Sequence, residues 1–154
     1  METTRLERLA SFIKFLEDSI GYRFDIGSFD SRLKLQKLVF IAGFLGFKHG
    51  YDFSLYLRGP YSPDLANDYY KLGEEWSFWK HRKDLPVIRF DEENFVKLIR
   101  GKNSIWLETA ATILSIWEKY HEKETVIELT KNIKMLRKDV VEDVFKDLRR
   151  SGVI

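Results

Sequence analysis

The stretch of sequence that decides the fold is Tyr51-Asp-Phe-Ser-Leu-Tyr-Leu-Arg-Gly-Pro-Tyr-Ser-Pro-Asp-Leu65. Over residues 51–57 apolar and polar side chains alternate, which is the pattern of a half-buried β-strand, and Gly59-Pro60 predicts the end of that strand. Residues 62–64 then supply an N-cap serine, a first-turn proline and a first-turn acid. We therefore predict that a helix begins there and ends near Gly73.

The segments before this stretch have the apolar spacing of helices, with apolar residues three and four positions apart. The first predicted helix begins near Thr4 and stops at Gly21. A second helix, capped by Asp30 or Ser31, runs to about Gly46. Because apolar residues occupy most of its circumference, we predict that it is the central helix of the first half.

The segments after it complete the predicted architecture. Residues 86–90 are a predicted second strand that pairs with the first, and residues 91–101 a short helix. Ser104 is predicted to cap a long helix, which a short helix over residues 125–133 follows. A last helix starts near Lys138 or Asp139, and its predicted inner residues are Val140, Val141, Val144, Phe145 and Leu148.

These patterns predict the fold class and the domain organisation. We expect a mainly α protein with a small β-hairpin (α+β), folded as a single compact domain over residues 1–154. Residues 1–101 form an N-terminal helical half that carries the hairpin. Residues 102–154 form a tri-helical half that resembles a winged-helix or helix-turn-helix domain.

Composition limits the classes of function. The 154 residues have a net charge of +2, too small for a protein that coats polyanions, so any nucleic-acid surface must be a local patch. The absence of cysteine excludes disulfides and thiolate chemistry, and the residue usage is thermophile-like. The longest apolar runs are far shorter than the roughly 20 residues of a membrane span, and the N-terminus lacks a signal-peptide pattern. We expect a cytoplasmic protein with no membrane partner.

The last predicted helix has two interpretations. As the recognition helix of a winged helix, it would contact nucleic acid through Lys138, Lys146, Arg149 and Arg150. As part of a tri-helical cluster, it would serve packing or dimerisation instead. The second interpretation is favoured because acidic residues share its outward face. Homodimerisation is a further prediction, since a truncated winged helix hides its remaining apolar surface against a second copy.

A second candidate nucleic-acid surface follows Trp76, Phe78 and Trp79. Lys80, Arg82 and Lys83 place cations next to these aromatic rings, as in platforms that bind single-stranded nucleic acid. The alternative, which we favour, is a core hairpin with a solvated basic edge.

Two motifs carry a resemblance to a known family. The segments Leu33-Lys-Leu-Gln-Lys-Leu-Val-Phe-Ile41 and 51–65 resemble the helix, strand and Gly-Pro-Tyr-Ser turn of the YwgA-like proteins. They are more distantly similar to the Panacea domain of antitoxins and phage-related proteins, which shares the Leu-Gln-Lys-Leu helix and the Gly-Pro turn. About forty residues are covered. The YwgA-like group implies no particular activity, whereas the Panacea domain implies neutralisation of a partner toxin without catalysis.

The Gly-Pro-Tyr-Ser turn also has two interpretations. It can be purely structural, because Gly59 permits the reversal, Pro60 fixes the backbone and Ser62 caps the next helix. Alternatively, the free amides of the helix start form a pocket for an anion or a peptide terminus. The candidate binding residues of that pocket are Lys37, Arg58, Gly59, Pro60, Tyr61 and Ser62.

Catalytic patterns are absent from the sequence. Its three histidines belong to no His-Glu-x-x-His motif, and it has no phosphate-binding glycine loop and no nucleophile elbow. Glu118 and His121 have the spacing of one half of a di-iron site without the second half, so His121 is interpreted as a helix-end residue. We predict a non-enzymatic regulatory or binding module with no cofactor and no metal, whose partner is a protein or nucleic acid. The alternatives are a toxin-neutralising protein and a metal-dependent hydrolase or nuclease built from scattered carboxylates.

Overall fold

The structure is a computed structural model that describes residues 3–154. Over these residues the chain is mainly helical, with one small antiparallel sheet, and none of its helices is both long enough and apolar enough to span a membrane. In chain order the elements are α1 (Arg5–Ile20), α2 (Phe29–Gly43), β1 (Ser54–Tyr56), β2 (Gly59–Tyr61), α3 (Pro63–Glu74), α4 (Trp76–Lys80), α5 (Glu92–Ile99), α6 (Ser104–Tyr120), α7 (Lys123–Lys134) and α8 (Lys138–Arg150).

Helix α2 is the central element, as its sequence predicts. All residues from 35 to 42 are buried, and the helix packs against α6, β2 and α3. On one side α1 packs against α3, α4 and α5, and on the other side α6 packs against α7 and α8. The buried apolar residues of all these elements except the sheet and α4 form one cluster, so the hairpin lies on the surface of this core.

Local capping signals locate most helix starts. Thr4 caps α1 with a capping box, and Ser62 caps α3 by accepting a hydrogen bond from the Leu65 amide, as predicted. Two predicted caps are wrong by one to three positions. Asn103 caps α6 in place of Ser104, and Ser28 caps α2.

The three C-terminal helices, α6, α7 and α8, have the predicted order of a long, a shorter and a last helix. Helix α7 is longer at both ends than the predicted segment, and α8 begins at the predicted Lys138. Four of the five predicted inner residues of α8 are buried, but Val140 is 36% exposed because it lies on the flank of the helix. Helix α6 ends at Tyr120 and His121 is its C-cap in a left-handed conformation, so the interpretation of His121 as a helix-end residue is confirmed.

The predicted strand pairing is wrong. Strand β1 is only three residues long, and its partner is β2, formed by the Gly59-Pro60-Tyr61 segment that was expected to end the strand. The two strands pair with Ser54 opposite Tyr61 and Tyr56 opposite Gly59, which makes a hairpin with a two-residue turn. The alternating pattern of residues 51–57 fails at its end, since Leu57 is 84% exposed.

Residues 86–90, the predicted second strand, are irregular and are held by α1 and the core. The Ser11 hydroxyl donates to the Pro86 carbonyl at 2.7 Å, and the Asp91 amide donates to the Leu45 carbonyl at 2.9 Å. The Phe90 ring lies 5.3 Å from the ring of Phe15 and in contact with three further phenylalanines. Packing of this ring therefore replaces strand pairing.

Residues 51–53 lie outside the sheet, and Tyr51 belongs to a polar cluster with Arg5 and Asp68. The Tyr51 hydroxyl donates to Asp68 Oδ2 at 2.6 Å, and Arg5 Nε donates to the same oxygen at 2.9 Å. The Arg5 guanidinium also covers the Tyr51 ring at 4.7 Å. Burial, followed by the hydrogen bond to Asp68, raises the pKa of Tyr51. This cluster joins α1 to α3 and fixes the approach to β1.

Candidate functional site

The two motifs that carry the family resemblance contact each other directly. Gln36 on α2 binds both backbone groups of Ser62, because its Nε2 donates to the Ser62 carbonyl and its Oε1 accepts from the Ser62 amide, both at 2.9 Å. Gln36 and Ser62 are both buried. The side-chain amide therefore pairs with the chain beyond β2 much as a neighbouring strand would.

Lys37, the next residue on α2, binds the same inner edge of the hairpin. Its Nζ donates to the Pro60 carbonyl at 2.7 Å, and the side chain is 1% exposed. Gly59 also brings the backbone close to α6, since an added Cβ would lie 3.1 Å from Thr112 Oγ1 and its φ of 102° disfavours any other residue. Helices α2 and α6 thus hold the hairpin from behind.

The exposed side of the hairpin borders a cavity of about 390 Å³ between α2, α3 and the hairpin. We call this cavity the hairpin pocket. Its lining residues are Phe29, Arg32, Leu33, Gln36, Lys37, Tyr56, Leu57, Arg58, Gly59, Tyr61, Tyr69 and Tyr70. Its volume is within the usual range of ligand pockets.

The rim of the hairpin pocket exposes aromatic rings beside arginines. Phe29 is 54% and Tyr70 47% exposed. The Arg58 guanidinium lies 5.0 Å from the centre of the Phe29 ring, and Arg32 lies 5.8 Å from that of Tyr70. The rings hold the arginine side chains in place through cation–π contacts while their charges remain at the rim.

The charge of the hairpin pocket is one-sided. Among residues 3–154, its lining side chains include three cations and no carboxylate. Helix α2 supplies Arg32 and Lys37, and the hairpin turn supplies Arg58. Such a site attracts an anionic group and offers aromatic faces to whatever carries it.

Lys37 at the base of the pocket has a perturbed charge. Burial disfavours the protonated amine and lowers the pKa of Lys37 to about 8, an effect that the Glu108 carboxylate opposes. The positive charges of Lys134 and Arg58 lower this pKa further. The Lys134 ammonium in turn lies 3.5 Å from Glu108 Oε1, so the carboxylate divides its attraction between two lysines.

The lowered pKa of Lys37 predicts a specific pH dependence of stability. The pKa of Lys37 is about 8 in the folded protein and 10.5 in a free side chain. Between these two pH values the unfolded chain therefore binds more protons than the folded protein does. The free energy of unfolding therefore rises with pH in that window, by about 2 kcal/mol from pH 7.5 to 9.5 relative to Lys37→Met, which carries no titrating group.

Urea unfolding of both proteins at several pH values measures this difference, and ionisation of other groups cancels in the comparison. Leu38→Met is the matched control, since it changes a buried neighbour without altering any charge. If the difference in free energy of unfolding between wild type and Lys37→Met were the same at every pH from 7.5 to 9.5, the prediction would be contradicted.

Two of the helix-start amides that the sequence suggested as an anion site have acceptors within the protein. The Ser62 amide donates to Gln36, and the Leu65 amide donates to Ser62 Oγ at 3.2 Å. Four of the six candidate residues, Lys37, Arg58, Gly59 and Tyr61, line the hairpin pocket, while Pro60 accepts a hydrogen bond from Lys37 and Ser62 is fully buried. The accessible positive charge is supplied by Arg58 and Arg32.

The basic candidates on α8 lie among acidic residues. Lys138 Nζ is 3.8 Å from Glu124 and 3.9 Å from Glu128, and Arg149 covers the Phe145 ring at 5.3 Å. Lys146 and Arg150 are exposed on the same helix. The outward face of α8 is therefore mixed in charge, as its sequence indicates.

The second basic segment lies on α4 and the turn after it. Residues 76–80 form a short helix, so the predicted core hairpin is wrong. Arg82 is neutralised by Glu7 at 3.0 Å and Asp84 at 2.9 Å, and it covers the Trp79 ring at 4.8 Å. Lys80 and Lys83 are exposed. Helix α4 packs against α1 and α3, whereas α8 packs against α6 and α7. The two basic groups therefore lie on helices that pack against different parts of the core.

Acidic and histidine side chains are dispersed in the described part of the chain. Residues 3–154 contain no group of three His, Asp or Glu side chains placed to hold a metal ion. The His49 ring, which accepts the Tyr51 amide proton on Nδ1, lies in a separate cavity with Glu118, and burial lowers the pKa of His49.

Sequence reasoning missed most of the aromatic part of this site. Phe29, Arg32, Tyr56, Tyr69 and Tyr70 come from three elements that only the fold brings together. One signal was present in the sequence, because Gln36-Lys37 is a polar pair inside a helix whose apolar residues occupy most of its circumference. Buried polar side chains in such a position require partners, and the nearest unpaired backbone is that of the hairpin.

No match to this chain is found among protein-family models, curated proteins or solved structures.

Proposed function

We propose that the protein is a non-enzymatic binding module that holds an acidic segment of a protein partner at the hairpin pocket. The observation that carries the proposal is the convergence of exposed aromatic rings and arginines on a pocket whose described lining has no carboxylate. Aromatic residues and arginine are the side chains that contribute most to protein interfaces. The distant similarity of residues 33–41 and 51–65 to the Panacea domain, which implies neutralisation of a partner protein without catalysis, supports a role in binding.

A protein partner fits the pocket better than nucleic acid does. Single-stranded nucleic acid is bound along an extended basic groove with several stacking rings. Here the rim cations are two arginines at one compact pocket, and the other basic candidates lie on α4, on the turn after it and on α8. A single acidic side chain or chain terminus matches this size and charge.

Selection from a random peptide library on the immobilised protein tests the proposal. We expect enriched peptides to combine acidic residues with an aromatic or large apolar residue. Their affinity should fall about tenfold or more with Arg58→Glu, because the reversed charge repels the acidic group at the rim, and it should fall with added salt. Arg89→Glu, at an exposed position outside the pocket, is the matched control and should bind normally.

Fluorescence anisotropy with a thymidine oligonucleotide of about twelve nucleotides tests the nucleic-acid alternative. If the oligonucleotide binds more tightly than any selected peptide and Arg58→Glu abolishes its binding, the partner is nucleic acid and the proposal is wrong. If no peptide is enriched over the Arg58→Glu variant, the proposal is also wrong.

For the C-terminal half we propose a winged-helix-like arrangement that serves packing. Helices α7 and α8 are joined by three residues and pack on α6, which supports this interpretation. Self-association is proposed through the exposed apolar residues near that turn, Ile133, Met135 and Val140, and sedimentation that gives a monomer at high concentration would contradict it. A cytoplasmic location is proposed from the absence of cysteine in the sequence.

A further inference from the structure

The hairpin is held at one edge and exposed at the other. Gln36 and Lys37 bind the backbone of Ser62 and Pro60 on the inner side, and α6 approaches Gly59 there. On the outer side, β1 pairs with no other strand among residues 3–154. All three side chains of β1 are exposed.

The register of the hairpin shows which backbone groups of β1 point outward. Residues that face each other in an antiparallel pair exchange either two hydrogen bonds or none. Leu55 faces Pro60, which has no N–H and whose carbonyl accepts from Lys37. Leu55 and Pro60 therefore form a pair without hydrogen bonds, so the N–H and C=O of Leu55 are directed to the outer edge.

We infer that the partner segment binds as an added β-strand along the outer edge of β1, with an acidic side chain at the hairpin pocket. This inference rests on the proposed function. A strand added beside β1 accepts a hydrogen bond from the Leu55 N–H and donates one to the Leu55 C=O, in the mode by which sheet edges bind extended peptides. Exposed edges are normally protected by short length, lysine, proline or a bulge, and β1, Ser54-Leu55-Tyr56, is short but has no lysine or proline.

The side-chain geometry connects this edge to the pocket. Tyr56 lies on the same face of the hairpin as Tyr61, since their rings are 5.7 Å apart, and both line the hairpin pocket. Side chains of an added strand alternate between the two faces. Those on the Tyr56 face lie over the pocket, where Arg58 and Arg32 meet an acidic residue, and those on the other face lie beside Leu55.

The test removes the N–H of Leu55 that points to the outer edge. Leu55→Pro removes that donor without removing a bond to β2, and Leu55→Ala, the matched control, shortens the side chain and keeps the donor. For a peptide recovered in the selection above, we expect Leu55→Pro to weaken binding about tenfold or more relative to Leu55→Ala. The Leu55 amide of the wild-type protein should exchange with solvent more slowly when the peptide is bound.

A second measurement avoids changing the protein. Peptides methylated at single backbone nitrogens should lose affinity at alternate positions only, because an edge strand donates every second N–H to its neighbour. Uniform tolerance of methylation, or equal binding by Leu55→Pro and Leu55→Ala, overturns strand addition while an Arg58-dependent peptide still supports the proposed function. If the selection gives no Arg58-dependent peptide, both strand addition and the proposed function are overturned.

Discussion

Replacing Gln36 with leucine is expected to lower the free energy of unfolding by about 3 kcal/mol. The substitution replaces the side-chain amide with an apolar side chain of similar size within α2, so the loss comes from the backbone of Ser62. Its amide loses its acceptor in a fully buried position, whereas its carbonyl keeps the Ala66 amide as a donor. A buried donor without a partner costs about 1–3 kcal/mol, and the lost bond to the carbonyl adds to this.

Urea unfolding measures the loss, and amide hydrogen exchange locates it. The Ser62 amide should exchange much faster in Gln36→Leu than in the wild type. Leu35→Met, a volume-conserving change at the neighbouring buried position, is the matched control and should cost less than about 1.5 kcal/mol. Equal stability of Gln36→Leu and wild type would show that the two motifs are not coupled by these bonds.

All the helices of residues 3–154 except α4 were predictable, because their signals are local, whereas α4 has only five residues and no side-chain cap. A capping serine or threonine, a first-turn proline and a glycine at the end act within one turn of the helix, and they fixed both ends of α1 and the start of α3. The errors at α2 and α6 have the same origin, since neighbouring residues of similar capping ability compete. Ser28 and Asn103 precede the predicted caps and satisfy the amides first.

The hairpin was not predictable in the same way because strand pairing is a non-local choice. Residues 86–90 have a suitable strand pattern, yet Phe90 gains more by packing among the core phenylalanines. The short segment at Gly59 becomes β2 because Gln36 and Lys37 supply its inner partners. The candidate pocket depended on this pairing, so the sequence identified Lys37, Arg58, Gly59 and Tyr61 but not the other rings of the lining, which are Phe29, Tyr56, Tyr69 and Tyr70.

Phe12→Ala is expected to have the largest effect on stability, a loss of about 4 kcal/mol. Phe12 is fully buried in α1, and its ring lies 4.7 Å from Phe47 and 5.9 Å from both Phe90 and Phe95. Removing it leaves a cavity between α1, α5 and the loop after α2. Phe78→Ala, which truncates a ring that is 62% exposed, is the matched control and should cost far less.

The same variant tests whether the two halves are one domain, because all the ring contacts of Phe12 lie in residues 1–101. Buried residues of both halves belong to one cluster, and α2 packs against α6. If they unfold together, calorimetry of Phe12→Ala gives one transition at a lower temperature, with equal calorimetric and van't Hoff enthalpies. Two transitions, of which only one moves, would show that residues 102–154 fold independently. The hairpin pocket, held from behind by both α2 and α6, would then lose its support from α6 whenever the halves separate.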